Sequence, residues 1–237
     1  MPTETEIRPP LDSGERLARQ EFHRRYEPMP RNVKARLIGG VVYVGGDGDG
    51  LASPVSELHG VITERAGFWL AYFQLGTPGV RVTSDATLVL GPENEPQPDH
   101  MMYVAPDGGG GTRVVGGFVH GVPELAVEVA VSSRSIDLGP QRVDYERAGV
   151  PEYLVLDVPS GEVHWHRFQD GRLVVVPPDA DGIYRSRSFP GLWFDPAAFW
   201  AGGRAGIIAT LERGLASPEY AEFAARLRVR APQPPGL

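Results

Sequence analysis

Apolar residues along this chain recur with two different periods, and the switch between them predicts its elements. Val55, Leu58, Ile62, Ala66, Trp69, Leu70 and Phe73 fall at helical spacing, behind a helix-start signal at Ser53-Pro54. Upstream, Ser13 is placed to cap a helix carrying Leu17, Phe22 and Tyr26, which Pro28 and Pro30 end. Ala35–Val44 reads as a strand pair or one bent strand, with Gly39-Gly40 as the turn. From Val80 the period shortens. Strands are predicted at Val80–Thr83, Thr87–Leu90, Asp99–Val104 and Glu124–Val131, with Gly108–Gly111 as a flexible connection. A short helix follows over Pro140–Ala148, with proline in its first turn and Gly149 at its end. Tyr153–Asp157, Glu162–Phe168 and Arg172–Val176 are three more strands, separated by Pro-Ser-Gly and Gln-Asp-Gly turns. Pro196–Arg230 reads as helical. The fold class is therefore α/β, a mixed β-sheet flanked by helices. A polar, proline-rich tail (residues 1–11) is expected to be disordered. One domain is expected over 12–200, with a helical extension over 201–237.

Composition narrows the function classes. At 237 residues the chain is long enough for a sizeable core, and no apolar run approaches a membrane span. With no cysteine there is no disulfide framework and no thiolate metal site, and a cytoplasmic location is the default expectation. A formal charge of −7 argues against a generally basic nucleic-acid binder while leaving room for a local basic groove. The cations are almost all arginine, and Lys34 is the only lysine. Arginine forks onto phosphate but does not easily shed a proton.

Several motifs have bland readings. In Gly45–Gly50, a calcium loop begun at Asp47 would put Ala52 at the invariant glycine and Leu58 at the closing glutamate, so the template fails and a solvated turn remains. Gly108–Gly111 lacks the Gly-Lys-Ser/Thr ending of a phosphate loop. Ser132-Ser133 lacks a nucleophile-elbow pattern. His164 and His166 share one side of a strand, but as metal ligands they lack an evident third partner nearby in sequence.

The informative residue is Glu128, inside the otherwise apolar run 123–131. Such runs belong to strands covered on both faces, where an ionised side chain costs several kcal/mol unless it is paired, hydrogen-bonded or bound to a cation. A second carboxylate, Asp99, opens the preceding strand. Two acids at a sheet edge suit a divalent cation, although two solvated strand-end acids would leave the same spacing. Beyond Glu128, residues 137–145 put Gln141, Arg142 and Tyr145 on a helix, with spacings that lean polar groups over the strand end.

These residues carry a family resemblance. Gln97-Pro-Asp99, the run 121–130 with Glu128, Ser-Ser-Arg-Ser-Ile-Asp-Leu (132–138) and residues 145–153 recur in order with residues 34–43, 53–60 and 189–193. Together, over about residues 15–200, they closely resemble the Uma-type family of restriction endonuclease-like proteins in the PD-(D/E)XK superfamily. The resemblance implies a restriction-endonuclease-like core in which Asp99 and Glu128 hold Mg²⁺ or Mn²⁺ and DNA is the substrate. It also implies a lysine on the helix four residues after the aspartate matched by Asp137, where this chain has Gln141. Gln141 would then position the attacking water, with Arg142 and Tyr145 toward substrate. Related sequences carry Lys-Ala-Glu-Leu-Ile-Glu-Gly where this chain has Arg36 and Gly39. Glutamine holds water without bringing charge, and neighbouring helix positions point about 100° apart, so Arg142 is no simple replacement. The readings that stay open are a Mg²⁺-dependent DNA endonuclease, a degenerate nuclease fold that binds a nucleic acid or protein without cutting, and a self-associating domain. In the last, Ile207, Ile208, Leu211, Leu215, Tyr220, Phe223 and Leu227 would form a homodimer surface.

Overall fold

The computed structural model describes residues 10–30, 33–45 and 56–230. Most of the tail 1–11, the Gly45–Gly50 loop beyond Gly45, the Ser53-Pro54 helix start and the last seven residues lie outside them. The chain runs α1 (Arg19–Tyr26), β1 (Ala35–Ile38), β2 (Val41–Val44), α2 (Glu57–Gly76), β3 (Val80–Ser84), β4 (Leu88–Val89) and β5 (His100–Val104). Next come β6 (Arg113–Val115), β7 (Phe118–His120), β8 (Leu125–Ala130) and α3 (Arg134–Ile136), which passes through a wide turn into α4 (Arg142–Ala148). The remainder is β9 (Glu152–Asp157), β10 (Glu162–Gln169), β11 (Arg172–Val175), β12 (Tyr184–Arg185), β13 (Trp193–Phe194), α5 (Pro196–Ala201), α6 (Arg204–Leu215) and α7 (Pro218–Arg230).

The central sheet has the order β11-β10-β9-β8-β5-β3. Its central pair β8–β9 is parallel and every other pair is antiparallel. Strand side chains alternate between faces. Leu125, Val127 and Val129 therefore pack with Ile62, Trp69 and Phe73 of α2, while Ala126 and Ala130 face Tyr145 of α4. Glu128 shares the α4 face. On the other face, His100 clamps α2: its ring nitrogens meet Ser84 Oγ and the Thr63 carbonyl, each at 2.8 Å. Gly67 makes that approach possible, because a Cβ there would lie 2.9 Å from His100 Cε1.

The Ala35–Val44 segment is a hairpin, and both turn glycines adopt positive φ (+55° and +74°). That combination is the two-residue turn glycine tolerates without strain. The hairpin packs Leu37 and Val42 against Phe22 of α1. Ser13 does not cap α1, which begins after Ala18; its hydroxyl instead accepts the Val44 amide at 2.9 Å. The expected linker at Gly108–Gly111 leads into a β6–β7 hairpin that alternation did not reveal, since β6 is exposed throughout. Strand β7 pairs β4 in a second, three-stranded sheet. The apolar face of α6 and α7 is used within the chain: Ile207, Leu211, Phe223 and Leu227 join the α2 core, with Leu215 and Tyr220 packed against it.

Among the described residues, no helix is long and apolar enough to cross a membrane. Glu152, buried in β9, gathers the segment after β12. Its carboxylate accepts from Trp165 Nε1 (3.3 Å), Arg167 Nε (3.2 Å), the Arg187 and Ser188 amides (3.1 and 3.3 Å) and the Ser186 hydroxyl. Removing one partner of such a buried charged network costs about 3–5 kcal/mol. Glu152→Ala should lower the urea midpoint accordingly with the m-value unchanged.

Candidate active site

The strand pair β5–β8 ends its main-chain ladder at His100 opposite Val127. Beyond that point two side chains replace main-chain partners. The Val129 amide donates to Asp99 Oδ2 at 2.7 Å, and the Asp99 amide donates to Glu128 Oε2 at 3.4 Å. The two carboxylates thus cross-link the strands where they part. Asp99 and Glu128 come together as their spacing suggested, and Glu128 is only 3% exposed.

The connection from α3 to α4 covers this point. Pro140 lacks an amide hydrogen and suits the first turn of a helix, so the chain breaks just before it and a second helix starts there. Gly139 absorbs the kink with φ −103° and ψ −111°. Gln141 already has helical φ and ψ (−63° and −44°), so the helix expected over Pro140–Ala148 follows the kink directly. The turn buries Asp137 and Gln141, at 1% and 0% exposure. Neither polar atom of the Gln141 carboxamide has a hydrogen-bond partner among the described residues. A buried amide left without partners costs about 1–3 kcal/mol, and it is the kind of group that a bound water or ion satisfies.

Tyr145 is fully buried, and its hydroxyl donates to Glu128 Oε1 at 3.3 Å. It therefore supports a carboxylate from inside the core and offers no surface to a ligand. Arg142 turns along its own helix, donating to Glu146 Oε2 at 3.2 Å and to the Leu138 carbonyl at 3.3 Å. The structure does not bring it to the carboxylates.

Three further residues complete the site. Arg36 alternates with the core residues Ala35 and Leu37, so the hairpin turns it away from α1, and Nη1 reaches Asp137 Oδ1 at 3.3 Å. The Ser133 hydroxyl donates to Asp137 Oδ2 at 2.5 Å. From α2, His59 Nε2 lies 3.5 Å from Asp99 Oδ1, a contact that raises its pKa against the opposing effect of burial. At sequence level Arg36 was visible only as a departure, Asp137 as a register marker and His59 as one letter of a motif. A charged residue inside an apolar hairpin and the i, i+4 pair Asp137–Gln141 were the available signals.

The electrostatics fit a cation. Burial, then the charges of Asp137 and Asp99, push Glu128 well above the usual carboxylate range, with Arg36 opposing. Burial also raises Asp137 to about 6 despite Arg36 and Ser133. An all-oxygen donor set suits a hard divalent ion. Gln141, one helical turn before Tyr145, adds a buried carboxamide with no partner among the described residues. Asp144 anchors the Gly39 amide at 2.6 Å, tying the Arg36 hairpin to α4, and burial lifts its pKa to about 6.

Raised carboxylate pKa values favour the protonated folded state. Their contribution is complete below about pH 4 and is lost as pH rises through about 6. The metal-free chain should therefore lose on the order of 1–3 kcal/mol between those pH values. Asp144→Asn, which keeps an acceptor for Gly39, should flatten the dependence in urea titrations across that range.

The pattern of the family described as "Uma2: Putative restriction endonuclease" matches residues 19–197. No curated protein matches the sequence. Among solved structures, one described as a "putative nuclease belonging to DUF820" from Anabaena variabilis aligns with a TM-score of 0.59 at 14% identity. The alignment covers 76% of this chain and 97% of that one, and it shows a shared fold. With the family pattern spanning α1 to α5 and that fold in common, the chain belongs to the Uma2 family of putative restriction endonucleases.

Proposed function

We propose that the chain is a metal-dependent nuclease that hydrolyses DNA phosphodiester bonds, with Asp99 and Glu128 holding Mg²⁺ or Mn²⁺. The observation that carries the reading is the pair of interlocked carboxylates, Asp99 and Glu128, with Tyr145 on Glu128 and the buried, unpartnered Gln141 one helical turn before Tyr145. A bound divalent ion would supply a lowered water pKa and stabilise negative charge on the scissile phosphate.

The chain's own residues do the rest. Val129 and Tyr145 orient Asp99 and Glu128 through hydrogen bonds, so little reorganisation is needed when a cation enters. Gln141 offers one acceptor and two donors to a water without adding charge. The positive charge that the family places on the helix comes here from β1. Arg36 offsets the buried acids and already lies in the field of Glu128 and Asp137. Arginine at 36 and glutamine at 141 thus put positive charge on the strand and leave the helix position neutral.

Calorimetric titration with Mn²⁺ tests the metal assignment. Asp99→Ala and Glu128→Ala should each weaken binding by about tenfold or more, and unchanged affinity in both would sink it. A second reading, a nuclease fold that binds without cutting, draws on the uncharged Gln141. Plasmid cleavage with Mg²⁺ and Mn²⁺ separates the two. Cleavage by the natural chain that Arg36→Gln reduces about 100-fold or more supports the active reading and the role of Arg36. Cleavage only after Gln141→Lys supports the degenerate one.

A further inference from the structure

A second polar cluster lies on the same sheet face, outside the site above. Asp157 ends β9 and Glu162 begins β10 directly opposite it, while His164 follows two residues on, opposite Val155. One ligand atom from each of the three lies within 4.8 Å of the others. His164 Nε2 is 3.5 Å from Glu162 Oε2 and 3.8 Å from Asp157 Oδ2. The ligands of a tetrahedral zinc centre, with bonds of about 2.0–2.2 Å, stand about 3.4 Å apart. The cluster is therefore near coordination spacing without rearrangement of the backbone.

Two of its buried atoms have no hydrogen-bond partner among the described residues. Asp157 is 1% exposed, and its Oδ1 has no hydrogen-bond partner among the described residues. The same holds for His164 Nε2, also buried. The other Asp157 oxygen accepts from Arg134 Nε at 2.6 Å, and the Arg134 side chain is 54% exposed. Arg134 thus neutralises the buried acid from the solvent side through Oδ2, the oxygen 3.8 Å from His164, and leaves Oδ1 and the imidazole nitrogen without hydrogen bonds among the described residues.

We propose that Asp157, Glu162 and His164 form a second metal site, selective for a transition-metal ion of the zinc class. One imidazole nitrogen with two carboxylates is a donor set that favours Zn²⁺ or Co²⁺ over Mg²⁺, which prefers oxygen ligands and keeps its waters. The site is separate from the Asp99–Glu128 centre. Glu128 lies opposite Val155, and Val155 lies opposite His164, so two strand spacings of about 4.8 Å separate them. Paired catalytic metals stand only about 3.5–4 Å apart. Arg134 is the competing cation of the metal-free state, and it opens the segment that carries Asp137 and Gln141 over the other centre. His164 therefore finds its partners across the β9–β10 hairpin and not in His166, whose Nδ1 meets the Tyr153 carbonyl at 3.3 Å.

Co²⁺ titration of the full-length protein carrying Asp99→Asn, which disables the first centre, tests this. Visible absorption should saturate at one Co²⁺ per chain, Zn²⁺ should displace it, and a large excess of Mg²⁺ should not. Adding His164→Ala or Glu162→Gln should weaken Co²⁺ binding tenfold or more. The Glu162 side chain is 61% exposed, so its variant keeps the fold whatever becomes of His164→Ala. Absence of saturable Co²⁺ binding, displacement by Mg²⁺, or unchanged affinity in the Glu162→Gln protein would overturn the assignment.

Discussion

The structure is organised around carboxylates that it cannot leave uncompensated. Glu128 sits in the middle of the central sheet, where hydration is gone and a lone negative charge would be several kcal/mol too costly. The fold answers from three directions. A main-chain amide comes from Asp99, a phenol from α4 and a guanidinium from the β1–β2 hairpin. Each donor arrives on a different element. The packing of those elements therefore has to be accurate before the site exists at all.

That demand explains features far from the acids. Asp144 pins the glycine turn of the hairpin and so sets the depth of Arg36. His100 and Gly67 hold α2 close to β5, placing His59 beside Asp99. The kink at Gly139 separates the turn that carries Asp137 from the helix that carries Gln141 and Tyr145. The family pattern spans the elements that carry these residues. An ionic countercharge acts through space, so it can move from a helix to a strand, provided the new position still looks into the same low-dielectric pocket.

Much of this was legible from residue order. The α2 stripe, the four strands from Val80 to Val131, the Gly39-Gly40 turn and the three strands after Gly149 all follow from period and turn chemistry. So did the suspicion attached to Glu128 and Asp99. The β6–β7 hairpin escaped because an exposed strand has no core-facing alternation to read. Ser13 was misread because a serine before an apolar run looks like a cap, whereas here its hydroxyl is taken by Val44 across a loop.

What sequence could establish was which groups are chemically out of place: a glutamate in an apolar strand, a glutamine for a lysine, an arginine in a hairpin. Local pattern carries that information because burial and periodicity are properties of neighbouring residues. Which of these groups meet was settled only by tertiary packing. Arg36 and Asp137 lie 101 residues apart and touch, while Arg142, adjacent to Gln141, turns away along its own helix. The direction of a side chain depends on the path of the whole backbone, and no stretch of residues read alone contains it.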